Sequence, residues 1–118
     1  MNPETYQALL DTSKSPIVFV DNDHVIRYLN QAAKIRYLKN RGYPELVGKS
    51  LFDCHNEQSE KQTREIHRRL LAGEDEIFLK VTRDNEKITV VAVRDTAGQL
   101  LGYYERFEAM PGTVPLQG

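Results

Sequence analysis

The tightest constraint on this chain is a three-residue break. Asp21-Asn22-Asp23 carries turn chemistry and separates two runs rich in β-branched and aromatic residues, 17–20 and 24–29. A connection this short can join only antiparallel neighbours, so the two runs form a hairpin. Residues 76–82, 87–94 and 99–107 also alternate or run apolar, and 83–86 and 95–98 supply the turns between them. Five strands, near 17–21, 24–29, 75–83, 87–95 and 99–108, are therefore expected.

Helical signals fill the rest. Asn2 caps a first helix with Pro3 in its opening turn, and Tyr6, Leu9 and Leu10 share one face before Pro16 forbids continuation. Asn30 caps a second helix, from 31 to about 39, with Ala33, Tyr37 and Leu38 on one side and Gly42 as its stop. Residues 43–47 can form one helical turn closed by Gly48. Asn56 caps the longest helix, 57 to about 72, which Gly73 ends. Helix, two strands, helices and three strands in that order predict an α+β fold: one antiparallel sheet with helices on one face and a cavity between the layers. The expected organisation is an N-terminal helix at 1–14, a body at 15–108 and a flexible tail at 109–118, where prolines and glycines collect.

At 118 residues and 13.6 kDa the chain fits one domain. One cysteine, Cys54, rules out an intramolecular disulfide, and with three scattered histidines it offers a poor zinc set, so the expected setting is cytoplasmic and no metal site is assigned. Sixteen Lys and Arg against seventeen Asp and Glu give a net charge of −1, without the basic excess that phosphate-backbone binding draws on. Direct contact with nucleic acid is not expected. The apolar runs are far below the roughly 20 residues a bilayer span needs, and the first residues lack a secretory pattern, so no membrane partner is expected.

In order and spacing, several fragments resemble the PAS sensory domains over about residues 4–108. Ile17-Val-Phe-Val-Asp21, Val25-Ile-Arg-Tyr-Leu-Asn30 and Gln31-Ala-Ala33 follow the family's opening hairpin and helix. Gly42-Tyr-Pro-Glu-Leu-Val-Gly-Lys49 and Val93-Arg-Asp-Thr-Ala-Gly-Gln-Leu-Leu-Gly102 follow its middle and last hairpin. The resemblance implies the PAS fold, with strand order 2-1-5-4-3, and a sensory or signalling module, not an enzyme. It would bind a small ligand or cofactor between sheet and long helix and signal to an output domain or partner protein, as in histidine kinases and transcription regulators. A ligand-free dimerisation module is the alternative, and a small α+β enzyme using Asp53 or His67 as a base is a further one. Whether the chain is a whole protein or a piece of one stays open.

The family binds haem, flavin, organic acids or nothing, so the cofactor must come from residues. In the flavin-photochemical branch the reactive cysteine falls at Leu51 here, three residues before Cys54, which leaves flavin adduct chemistry unsupported. Haem stays open, although the position of the axial histidine of the oxygen-sensing branch is near Gln62.

Candidate ligand contacts lie on and around the long helix. At 100° per residue Ile66, Leu70 and Leu71 define an apolar arc that includes Thr63 and His67, so His67 should face the sheet. There it contacts a ligand or, in the alternative, bonds a backbone carbonyl or a water. His55 and Cys54 sit where the chain enters the helix, near its positive end; a small buried filler is the preferred reading of Cys54. Arg94 ends a strand as a ligand contact or as a partner of Asp95 or Glu105. His24, at the hairpin turn, reads as solvated. Arg64, Arg68 and Arg69 with Glu60 and Glu65 read as ion pairs on the helix's outer face. Tyr6, Leu9 and Leu10 need cover, which predicts a homodimer through the first helix.

Overall fold

The computed structural model describes residues 2–54 and 56–110. All three predicted caps form. Asn2 Oδ1 accepts from Thr5 N at 2.9 Å and opens α1 (Pro3–Asp11). Asn30 Oδ1 accepts from Ala33 N at 2.9 Å and opens α2 (Gln31–Lys34), and Asn56 Oδ1 accepts from Ser59 N at 2.8 Å and opens α3 (Glu57–Leu71). The sheet contains β1 (Val18–Asp21), β2 (Ile26–Leu29), β3 (Glu76–Val81), β4 (Glu86–Arg94) and β5 (Leu100–Ala109) in spatial order β2-β1-β5-β4-β3, every pair antiparallel. Val20, Ile77, Val90 and Tyr103 from its inner face pack with Ile66 and Leu70 of α3, and with Ile26, Leu29, Ala33 and Leu46, to make the core.

Asn30 pins three segments at once. It is fully buried; its Oδ1 also accepts from Ile17 N at 2.9 Å, while Nδ2 donates to Leu10 O at 3.2 Å and Ser15 O at 3.0 Å. Every polar valence of the amide is used. Asp11 Oδ1 accepts from the Tyr28 hydroxyl at 2.7 Å and from Gln31 N at 2.9 Å, so the end of α1 is tied to the body although none of its residues is buried.

Several expectations need correction. The second helix does not run as α-helix to residue 39: after Lys34 it widens into a π-helical turn, Ile35–Asn40. Residues 43–47 form no helical turn; instead Gly48 N donates to Ile26 O at 2.7 Å, and a 3₁₀ turn follows at Leu51–Cys54. The second strand starts two residues late, because His24 takes φ +62° in the turn. Leu71, assigned to the apolar arc, is 59% exposed. Of the expected ion pairs Arg64–Glu60 forms at i, i+4, whereas Arg68 pairs with Glu65 one residue closer and Arg69 with Glu74 beyond the helix. Residue 109, expected to open the tail, instead ends β5; residues 111–118 of the expected tail lie outside the described residues.

Candidate functional site

Between the inner face of the sheet and the helices lies a cavity of about 420 Å3. Val20, Ile26, Ile66, Ile88 and Val90 give it an apolar floor and wall, and Tyr37, Tyr43 and Tyr103 add rings. Ser59, Gln62 and Thr63 reach it from α3. Size and lining match the range of small-molecule sites, which hold an apolar body and fix it with a few polar groups.

Two irregularities populate its polar end. The π turn carries Arg36 and Tyr37 to the cavity, and Arg41, which caps it, lies five residues after Arg36 at the i to i+5 spacing of π-helical hydrogen bonds. On β3 a bulge between Phe78 and Lys80 breaks the alternation. Phe78 pairs with Thr89 and is 58% exposed, yet Lys80 pairs with the buried Ile88 and so turns to the cavity side. Glu105 lies on the same face, two residues from Tyr103 and from Phe107 along β5. Burial pushes its carboxyl pKa up, and the charges of Lys80 and Arg36 pull it back in part. Arg36 bonds Glu86 Oε1 at 3.1 Å and lies 4.5 Å over the Phe107 ring, while Arg41 lies 5.1 Å over Tyr37.

Thr63 and Ile66 line the cavity. Leu70 is fully buried beneath it in the core. Arg94 lies outside the lining and pairs with neither Asp95 nor Glu105. It pairs with Asp75 at 2.9 Å and donates to Leu70 O at 2.6 Å and Glu74 O at 2.9 Å, clamping the end of α3 to β4. His55 and the side chain of Cys54 lie outside the described residues.

His67 is half-buried and faces the sheet, as the helical phase requires, but it joins a cluster beside the cavity. Its Nε2 bonds Asn22 Oδ1 at 3.1 Å, and its ring stands edge-on to His24 at 4.7 Å. His24, expected in solvent, is only 6% exposed. The left-handed turn folds its ring inward between Phe52 and His67, where Nδ1 shares a 2.7 Å hydrogen bond with the Tyr103 hydroxyl. Burial lowers both imidazole pKa values. Repulsion from His67 and Arg64 lowers that of His24 further, against Asp21 and Asp23, and Arg64 further lowers that of His67. Tyr103 links this cluster to the cavity it lines.

Comparison with known proteins fits this geometry. A family model described as PAS domain matches residues 6–110. The chain belongs to the PAS domain family. Among solved structures, a C-terminal domain from Streptococcus mutans superposes with TM-score 0.73 at 22% identity, covering 94% of this chain and 87% of that one. A PAS domain from Colwellia psychrerythraea gives 0.63 at 13%, covering 91% and 95%. The Aer2 receptor of Vibrio cholerae, described as a dual PAS-heme oxygen sensor, gives 0.54 at 23%, covering 79% and 91%. No curated protein matches the sequence. At these identities the likeness carries the fold, and as a PAS domain the chain is a sensory or signalling module.

Among the described residues lining the PAS cavity there is no histidine, cysteine or methionine to hold a haem iron, and Gln62 lines it near the position of the axial histidine of the oxygen-sensing branch. Leu51, at the position of the flavin-reactive cysteine, lines it with an inert alkyl chain. Among the described residues no three His, Cys, Asp or Glu side chains are grouped to hold a metal ion, and no helix is long and apolar enough to cross a membrane.

Proposed function

We propose that this PAS domain is a sensor that takes a small organic ligand into the cavity between its sheet and α3 and relays occupancy to an output domain or partner protein. The observation that carries the reading is the cavity itself: about 420 Å3, floored by apolar side chains and edged by convergent polar ones, inside a fold that needs no such space for stability. Thr63 and Ile66 are its contacts on α3. His67, through Tyr103, sits where a change at the cavity wall reaches the β1–β2 turn. Intact-mass analysis of the native protein, with a visible absorption spectrum, tests the reading together with a melting screen against small organic acids, alcohols and amines. A co-purifying compound or a ligand-dependent rise in melting temperature supports it. A protein that carries nothing and shifts with no compound refutes it.

The alternative, a ligand-free dimerisation module, draws on one observation. Tyr6, Leu9 and Leu10 of α1 are 52%, 60% and 41% exposed on one face. We propose a cytoplasmic homodimer in which these faces meet across a two-fold axis. Light scattering at high micromolar concentration should give twice the monomer mass, and Leu9→Glu should halve it. A monomer mass for both proteins would remove the interface.

A further inference from the structure

We propose that the ligand is a small monocarboxylate with an apolar body, its head group held among Arg36, Arg41 and Lys80 around Tyr37 and its body lying along Val20, Ile26 and Ile66. The assignment rests on the cavity being a ligand site. Charge at the polar end decides the sign. Three cations reach the cavity, against Glu105 inside it and Glu86, which holds Arg36 from the strand end. One positive charge is left uncompensated, and a monoanion completes the set. Among the described residues neither Arg41 nor Lys80 has a carboxylate within ion-pairing distance.

The backbone supports the same reading. Regular geometry would send Lys80 to the outer face with Phe78, and the β3 bulge turns it inward, beside an apolar wall that gains nothing from an ammonium group. The π turn and the residue that caps it bring Arg36, Tyr37 and Arg41 to the same cavity. Both devices bring cationic donors to the same end of the cavity, where partial exclusion of water strengthens a charge-assisted hydrogen bond. Glu105, for which no side-chain hydrogen bond forms among the described residues, is placed to accept from a hydroxyl or amide on the ligand.

Decanoate, decanol and decylamine share one apolar chain and differ in head-group charge, and titration calorimetry of the full chain below their micellar concentrations separates the terms. Decanoate should bind at least about tenfold tighter than decanol, the scale of a single charge-assisted pair. The double variant Lys80→Gln, Arg41→Gln, both exposed rim positions, should lose that preference, with circular dichroism confirming the fold. Equal binding of decanoate and decanol overturns the carboxylate assignment and leaves the ligand site standing. Tightest binding of decylamine overturns it by showing that Glu105 sets the sign. No binding by any of the three removes the assignment and the ligand site together.

Discussion

Replacing Tyr103 with Phe removes one oxygen atom and isolates what the cluster beside the cavity contributes. Tyr103 is 5% exposed and His24 6%, and their 2.7 Å hydrogen bond is the one side-chain bond His24 makes among the described residues. In the neutral imidazole the hydroxyl donates to Nδ1 or accepts from it, according to the tautomer; in either case Phe leaves Nδ1 buried without a partner. A stranded buried polar group costs about 1–3 kcal/mol, more than the net worth of the bond, since the unfolded chain regains water at the same atom. For a chain of this length about 4 °C of melting temperature corresponds to each kcal/mol, so Tyr103→Phe should melt about 4–12 °C below the parent. The neighbouring Tyr104→Phe is the control: its hydroxyl makes no hydrogen bond among the described residues, and the expected change is within about 0.5 kcal/mol. Differential scanning calorimetry at pH 8, with both imidazoles neutral, measures the two side by side. Equal losses for the two variants, or a loss under about 2 °C for Tyr103→Phe, would show that His24 is hydrated in solution and that the turn does not hold its ring inside.

Because burial and Arg64 depress both His24 and His67, their contribution to stability is present above the ordinary imidazole value of 6.5 and lost as pH falls through the lower folded values; urea midpoints should drop from pH 7 to pH 5, less steeply in His67→Gln. Glu105 has the opposite sign, since its raised pKa removes stability as pH climbs from 4.5 through the folded value, so Glu105→Gln should gain stability at neutral pH in the same urea assay. Gly102→Ala should cost on the order of 4 kcal/mol or prevent folding, because at φ +158° a Cβ would lie 2.1 Å from Val20 O and 2.7 Å from the Phe19 ring, and a melting temperature within a few degrees of the parent would contradict it. Thr89→Val should be neutral or stabilising by about 1 kcal/mol by denaturant unfolding, since the buried Thr89 hydroxyl has no hydrogen-bond partner among the described residues.

Local chemistry was enough to read most of the fold from the sequence. Asn2, Asn30 and Asn56 mark helix starts because a short amide accepts from the third residue onward whatever the tertiary setting, and the three-residue break at 21–23 permits only a hairpin. The same locality explains the errors. A helical turn over residues 43–47 is compatible with its residues, but Gly48 N and Lys49 O bond to Ile26 instead and draw the segment along β2. His24 reads as solvated because turns usually are; its inward ring depends on Phe52, His67 and Tyr103, three residues distant in sequence, and on a positive φ that no apolar pattern signals.

The polar end of the cavity was hidden for a related reason. Periodicity finds inward residues by assuming regular elements, and Lys80 and Arg41 reach the cavity only because β3 bulges and the helix after α2 widens. Strict alternation from Phe78 sends Lys80 outward, and a 3.6-residue turn carries Arg41 about 140° away from Arg36. Glu105 alone carried a usable signal, a carboxylate at the inward parity between Tyr103 and Phe107 in an otherwise apolar row. A charged residue at a core position either strands a costly charge or meets one delivered from elsewhere. A carboxylate at that position points to cations arriving from other elements, and the charges of Lys80 and Arg36 do act on Glu105, without a direct ion pair among the described residues.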